Sequence, residues 1–182
     1  MSAPRNVQLQ LASAADAHVI QNLWPLYQHE ISEFDGSRPN AHGIFGAADD
    51  VTTLAQHAGS MDAWWNEPGA LFPYLILVDD QPAGFSLVAA RSRLPEGIDA
   101  DFVVHEFFLL HAYRGGEVGE RAAAETFDRH RGQWEIVTYP SHARALAFWR
   151  RTIDAYTGGA FQQSEGDHTW GRKAIFRFEN DA

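Results

Sequence analysis

The apolar positions of this 182-residue chain change period several times, and each change predicts an element. Residues 7–11 alternate weakly and predict a first strand. Ser13 followed by Asp16 reads as a capping box, after which Val19, Leu23, Leu26, Tyr27, Ile31 and Phe34 recur at helical spacing. That pattern is one amphipathic helix, with Pro25 as the place for a kink. Residues 35–40, DGSRPN, are turn formers. A poorer helix is expected over 49–57 and a short one around Trp64 and Trp65. Two apolar runs, 72–78 and 83–90, flank the acidic turn DDQP and predict a hairpin. After a loop over 92–99, residues 102–110 read as a long strand. An alanine-rich helix follows to about His130, with Gly132 as its stop signal. Then come a strand over 134–139, a helix over 142–153, and a last hairpin from 161–163 and 173–178. Hairpins come first and a strand-helix-strand-helix unit later, without repeat, low-complexity tract or linker. The expectation is one domain over 1–182, of α/β (α+β) class.

Composition narrows the chemistry. Apolar residues at 45% and aromatics at 13% are what a packed core needs. The chain has no Cys, which excludes disulfides, thiol catalysis and cysteine metal sites. The N-terminal residues lack a signal-peptide pattern, and no apolar run reaches the ~18 residues of a membrane helix, so the expected location is cytoplasmic. With 24 acidic against 14 basic residues, the formal charge is −10. Attraction to nucleic acid or to an anionic membrane is therefore not expected, whereas a cationic small molecule suits the chain. The basic residues between Arg144 and Arg151 form a local positive site against that background. The nine His show no ligand spacing: His105-Glu106 has no His at 109, so no metal is expected. No G-x-S-x-G surrounds any Ser, so a hydrolase elbow is absent too.

The least ordinary stretch is HAYRGGEVGERAAAETFD, 111–128, where Arg114, Gly115, Gly116 and Gly119 lie between strand and helix. Glycine adopts positive φ cheaply and lets a ligand approach bare backbone, and a helix start turns its amide N–H groups outward. Together these make an anion site for which phosphate is the natural guest. The alternative is an ordinary strand-to-helix turn with glycines for tight packing. A Walker loop is excluded because no Lys-Ser or Lys-Thr follows, and a dinucleotide fold because G-x-G-x-x-G is missing.

What remains, Arg114 to Gly119 read as R-x-x-x-x-G after a strand and before a helix, resembles the R/Q-x-x-G-x-G/A signature of the GNAT superfamily of N-acetyltransferases. The family's first glycine position carries Glu117 here. Leu109 stands five residues before Arg114, with the family's spacing. Gly119, Ala123 and Phe127 make one small helix face, with Ala122 beside them. WEIVTYPSHARALAFWRR is similar to the family's next strand and helix, with Ala145 and Phe148 matching and His142 and Trp149 at the usual Asn and Tyr positions. The likeness spans most of the chain and is strongest over 101–153, with E-F-F, A-F-W-R-R and Y-T-G-G runs like those of small bacterial acetyltransferases of this superfamily.

The resemblance implies a three-layer fold, with a mixed, mostly antiparallel sheet splayed in the middle and helices on both faces. It implies acetyl-CoA as co-substrate, its pyrophosphate held by the loop amides and its pantetheine lying in the splay like an extra strand. The residues it places at the coenzyme are Leu109, Leu110, Arg114, Gly115, Gly116, Glu117, Val118, Gly119, His142 and Arg150. Leu109 would present its N–H to the thioester oxygen. Glu106, three residues earlier and roughly 10 Å along the strand, suits a base acting through water. Strict alternation groups it with Val104, Phe108 and Leu110, an apolar setting expected to raise its pKa. Its alternative is a Glu at the sheet edge paired with an Arg. Trp149 cannot supply the family's Tyr proton, which leaves Tyr156, His142 or water as the donor, or a thiolate that departs unprotonated; Ala145, Trp149 and Ile153 also form a core stripe. Arg150 and Arg151 face either the coenzyme phosphates or solvent. Trp64, Trp65, Phe72 and Tyr74 line either an acceptor pocket or the core.

The function implied is acetyl transfer to a primary amine of a small molecule or peptide in a ternary complex. The alternative is a GNAT-fold domain that binds CoA or acyl-CoA as a sensor. Polyamines, aminoglycosides, amino acids and a protein N-terminus all remain open as acceptors, and a homodimer is compatible with the family.

Overall fold

A computed structural model describes residues 5–115 and 117–180; Gly116 lies outside the described residues. The alternating segments pair into one seven-stranded sheet of order β1-β2-β3-β4-β5-β7-β6. Its strands are β1 (Val7–Leu11), β2 (Leu71–Val78), β3 (Gln81–Ala90), β4 (Phe102–Leu109), β5 (Gly132–Thr138), β6 (Gln162–His168) and β7 (Gly171–Asn180). Every neighbouring pair is antiparallel except β4 and β5, which are joined through helix α4 (Val118–Asp128) and run parallel. Helices α1 (Ala17–Asp35), α2 (Leu54–Ala58) and α3 (Ala63–Asn66) precede the central strands, and α5 (Ala143–Thr157) follows β5.

Each face of the sheet carries its own core. Ile20 and Leu23 of α1 pack with Met61 on Leu75, Phe85, Leu87 and Phe108. On the opposite face Val118, Ala122, Ala123 and Phe127 of α4, with Trp149 and Ile153 of α5, bury against Val88, Val104, Trp134, Ile136 and Phe176. The mixed three-layer architecture expected from the sequence is thus observed.

Several boundaries move. The Ser13 amide and hydroxyl donate to Asp16 Oδ2 in a turn before α1, and Asp16 makes no side-chain cap to the helix. A complete capping box occurs instead at Thr53 and Gln56, so the helix expected over 49–57 begins only at Leu54. Helix α1 runs continuously past Pro25 and stops at Gly36, whose φ of 73° is left-handed. Leu26, counted on the apolar stripe, is 51% exposed. Helix α4 ends at Asp128 and β5 begins at Gly132 itself. Helix α5 continues to Thr157, where Gly158 ends it. The last hairpin is much longer than expected, because edge strand β6 reads QQSEGDH and is mostly exposed, which leaves it without an apolar rhythm to detect.

One irregularity matters for function. Glu106 stands opposite Leu87 and Val104 opposite Val88, so His105 is an extra residue bulged out of β4. Strict alternation, which had placed Val104 and Glu106 on one face, is broken there. Val104 joins the core under α4 and α5, while Phe108, two residues beyond Glu106, packs on the α1 side.

Candidate active site

Strands β4 and β5 pair only at Phe102–Trp134, Val103–Glu135 and Val104–Ile136, although both continue further. Beyond Val104 they part, and the gap opens into a cleft of about 630 Å³. Its floor is residues 104–109 of β4, 136–138 of β5 and Tyr139 just beyond; α1 supplies one wall, and the starts of α4 and α5 the other.

The backbone at the gap is oriented by the far side of the strand. The Leu110 N–H donates to Ala83 O at 2.8 Å, towards β3. Successive residues of a strand face opposite neighbours, so the Leu109 N–H and C=O face the gap, where no β5 residue pairs with them. The Leu109 carbonyl accepts from Arg114 Nε at 2.8 Å, on the turn that follows. Gly84 holds β3 tight against this segment, since a Cβ there would collide with the Phe108 carbonyl oxygen.

The glycine turn brings the α4 N-terminus to the same place. Gly115 has φ 84°, lines the cleft, and faces open space where a Cβ would stand. Glu117 caps the helix with φ 68°, an uncommon conformation for a residue with a Cβ, and its exposed side chain makes no cap hydrogen bond. Gly119 lines the cleft on the first turn, where a Cβ would approach Phe148 Cε2 to 2.9 Å. Val118 is fully buried beneath them. Arg114 forms a two-pronged ion pair with Glu30 of α1, at 2.8 and 2.6 Å. Burial alone would raise the Glu30 carboxyl, but the hydrogen bond and charge of Arg114 prevail and hold it below the usual range. His142 caps α5, its Nδ1 accepting from the Ala145 N–H at 3.4 Å, and its ring stacks on Phe34 at 3.8 Å. Burial lowers its pKa, which keeps Nδ1 free to accept.

Glu106 lines the cleft with its side chain 21% exposed. The Tyr27 hydroxyl donates to Oε2, and His105 Nδ1 lies 3.4 Å from Oε1. No Arg pairs with it among the described residues. Burial first, and the Glu106 carboxylate second, push the Tyr27 phenol well above its ordinary pKa, so it stays a donor. Across the gap Lys173 of β7 is 5% exposed and holds Nζ 3.3 Å from the Tyr139 ring centroid. Burial pushes its ammonium below the usual lysine range, against the opposing pull of Glu106 and Asp35.

The structure thus brings Glu106, Leu109, Arg114, Gly115, Gly119 and His142 to one cleft. Leu110, Glu117 and Val118 adjoin it without lining it, and Gly116 lies outside the described residues. Arg150 is not brought there: it is exposed and donates to Gln163 of β6 at 2.8 Å. Its neighbour Arg151 does line the cleft, paired with Glu120, as does exposed Arg144. Tyr156 points away, donating to Asp128 Oδ1 at 2.8 Å, and Trp149 borders the cleft but is 5% exposed, packed into the core. Trp64, Trp65, Phe72 and Tyr74 belong to the cores; the aromatic walls of the cleft come from Trp24, Tyr27, Tyr139, Phe148 and Trp170. Sequence reading missed Tyr27, Glu30 and Lys173. The polar interruptions Gln28, Glu30 and Asp35 beside the stripe of α1 were the available signal for a functional helix face.

Comparison with known proteins places this architecture. It is similar to an acetyltransferase from Thermus thermophilus, with 13% identity, TM-score 0.62, and 96% of this chain and 97% of that one covered. An aminoglycoside acetyltransferase in complex with coenzyme A superposes with 17% identity and TM-score 0.63, covering 96% and 95%. A GNAT-family acetyltransferase from Streptococcus agalactiae gives 12% identity and TM-score 0.63, covering 97% and 96%. No protein-family model and no curated protein sequence matches the chain. The fold is that of the GNAT acetyltransferases.

Proposed function

We propose that the chain is an acetyl-CoA-dependent N-acetyltransferase that moves an acetyl group to a primary amine of a small molecule or peptide, by direct transfer in a ternary complex. The observation that carries the reading is the parting of β4 from β5 beyond Val104, with the Leu109 backbone turned into the gap and the α4 N-terminus at its mouth.

The residues present suit acetyl-CoA. Gly115 and Gly119 leave bare backbone at a helix start, where amide N–H groups and the helix dipole favour a diphosphate. Arg144 adds positive charge on the same wall, whereas Arg114 is held by Glu30 and Arg151 by Glu120, so that Arg114 acts on the turn rather than on phosphate. Phe107, Leu109 and Phe148 give the pantetheine arm apolar contact, and the free edge of β4 offers it hydrogen bonds. Leu109 N–H is the donor aimed at the thioester carbonyl; losing one such donor costs ~2.7–4 kcal/mol elsewhere.

The acceptor must react as the free amine, yet an alkylamine with pKa ~10.4 is almost wholly protonated at neutral pH. Glu106, held by Tyr27 and exposed to the cleft, takes that proton directly or through water. The nitrogen forms the new C–N bond, the C–S bond breaks, and the sulfur receives a proton from water or from a cleft donor. Positioning does the larger share of the work.

A second reading, a coenzyme A-binding module without transferase activity, is favoured by one observation: Trp149 is built into the core and Tyr156 faces Asp128, so neither supplies a phenol to the gap. Calorimetry with coenzyme A, followed by acetyl-CoA with an amine panel and detection of free thiol, decides. Heat of binding and thiol release are expected. Heat without release across the panel would leave the module; no heat at all would remove both readings.

A further inference from the structure

Resting on the transferase reading, we infer that the acceptor carries a carboxylate beside its reacting amine, and that Lys173 receives that carboxylate. The acceptor is then a small amino acid-like molecule rather than a polyamine or an aminoglycoside.

Lys173 is the unusual cation of the cleft. Arg114 is neutralised by Glu30 and Arg151 by Glu120, while Arg144 is exposed. Lys173 alone among the basic residues lining the cleft is buried, and none of the ion pairs formed among the described residues includes it. Its position is fixed by the sheet: Ala174 pairs with Thr138, so Lys173 stands across from Tyr139, where its Nζ sits over the ring. A buried charge is costly unless a counter-charge meets it, and one aromatic face offsets only part of that cost. Glu106 and Asp35 act on it without forming an ion pair, and the carboxylate that would meet the ammonium directly is one that a ligand brings.

The surroundings define what that ligand is. Glu106 shares the cleft and waits for an ammonium, so one molecule must offer opposite charges to two sides of one gap. A singly charged carboxylate fits a single ammonium. A dianionic phosphate ordinarily collects several donors and would be repelled by Glu106 and Asp35 about twice as strongly as a monoanionic carboxylate. Tyr27, Trp24 and Trp170 give an apolar side chain a wall to rest on. A polycation, by contrast, would bring a further ammonium against Lys173.

The test measures thiol release from acetyl-CoA with amino acids, each matched with the amine formed by its decarboxylation and with its aminoalkyl phosphonate, and with spermidine and kanamycin alongside. Wild-type protein is expected to favour the amino acids by about tenfold or more in kcat/KM. Lys173→Met is expected to bring that ratio to about one, mainly through KM for the amino acid. Lys173→Arg is expected to keep part of it, with the KM for acetyl-CoA unchanged in both variants. Better turnover of decarboxylated amines, phosphonates, spermidine or kanamycin by wild-type protein overturns the inference and leaves the transferase reading standing. So does a folded Lys173→Met protein that loses turnover equally on every acceptor. Thiol release from no acceptor at all overturns the transferase reading, and this inference with it.

Discussion

Glu106 is set by three contacts that act on one carboxylate: the bulge at His105 that re-aims its strand, the phenol of Tyr27, and the imidazole of His105 itself. A base so placed is needed only while the acceptor is protonated. Glu106→Gln is therefore expected to lower kcat by about 10²–10⁴ at neutral pH. The deficit should shrink as pH rises towards the amine's own pKa near ~10.4, where free amine needs no help. A pH series of steady-state rates with both proteins checks this: a deficit constant across the range, or none at neutral pH, removes Glu106 as the base. The sequence offered Glu106 through its place three residues before Leu109. It offered neither the bulge nor Tyr27, because a bulge is set by cross-strand register, and Tyr27 is 79 residues away along the chain. Lys173 was hidden for a similar reason. It lies in a segment whose polar and apolar residues read as an ordinary strand, and only the pairing of β7 with β5 carries it to the gap.

At the scale of elements, the strand, turn and helix between Phe102 and Asp128 were legible apart from the bulge at His105, since the apolar strand, the glycines and the small-residue helix face each have a local cause. Edge strand β6 was not, because a solvated strand carries no apolar period. The turn also holds a residue at odds with its conformation. Glu117 takes left-handed φ and ψ of 68° and 1°, which costs an L-residue about 1–2 kcal/mol. Its carboxylate at the N-terminus of α4 returns about 0.3–1 kcal/mol through the helix dipole. The backbone term wins, so Glu117→Gly is expected to stabilise the protein by about 0.5–1 kcal/mol in urea unfolding. Removing a negative charge from the mouth of the proposed anion site should also tighten coenzyme A in calorimetry, by several-fold. Unchanged or weaker coenzyme affinity would place the diphosphate elsewhere than the α4 N-terminus.

Over the whole molecule, acid acts through imidazoles built into the packing. His130 stacks on Phe102 with ring centroids at 4.5 Å and meets Phe72 at a tilt at 4.2 Å, and its Nε2 lies 2.8 Å from the Tyr74 hydroxyl. Burial, helped by the charge of Arg129, lowers its pKa from 6.5 to about 4. His57 and His142 are lowered in the same direction by burial. Folded-state pKa values below the unfolded value mean that the unfolded chain binds more protons between the two. Stability is then complete above pH 6.5 and is lost as pH falls towards about 4. For His130 the loss is on the order of 2 kcal/mol, after allowing for its partial exposure. The fall of net charge from −10 acts in the opposite sense by relieving repulsion, but at physiological salt that repulsion is screened beyond about 8 Å, so the buried rings decide. The carboxyls held low, Asp16, Glu30 and Asp101, contribute little in this window, because their share begins to go only as pH falls through their unfolded values of 3.8 to 4.5 and is lost fully below their lower folded ones. Urea unfolding at about pH 7 and about pH 4.5 should therefore show a loss on acidification that His130→Phe reduces, at a cost of about 1 kcal/mol at neutral pH for the lost Tyr74 contact. If the acid loss is undiminished in that variant, the proton uptake belongs to other groups and the ring cluster under β2 and β4 is not what acid breaks first.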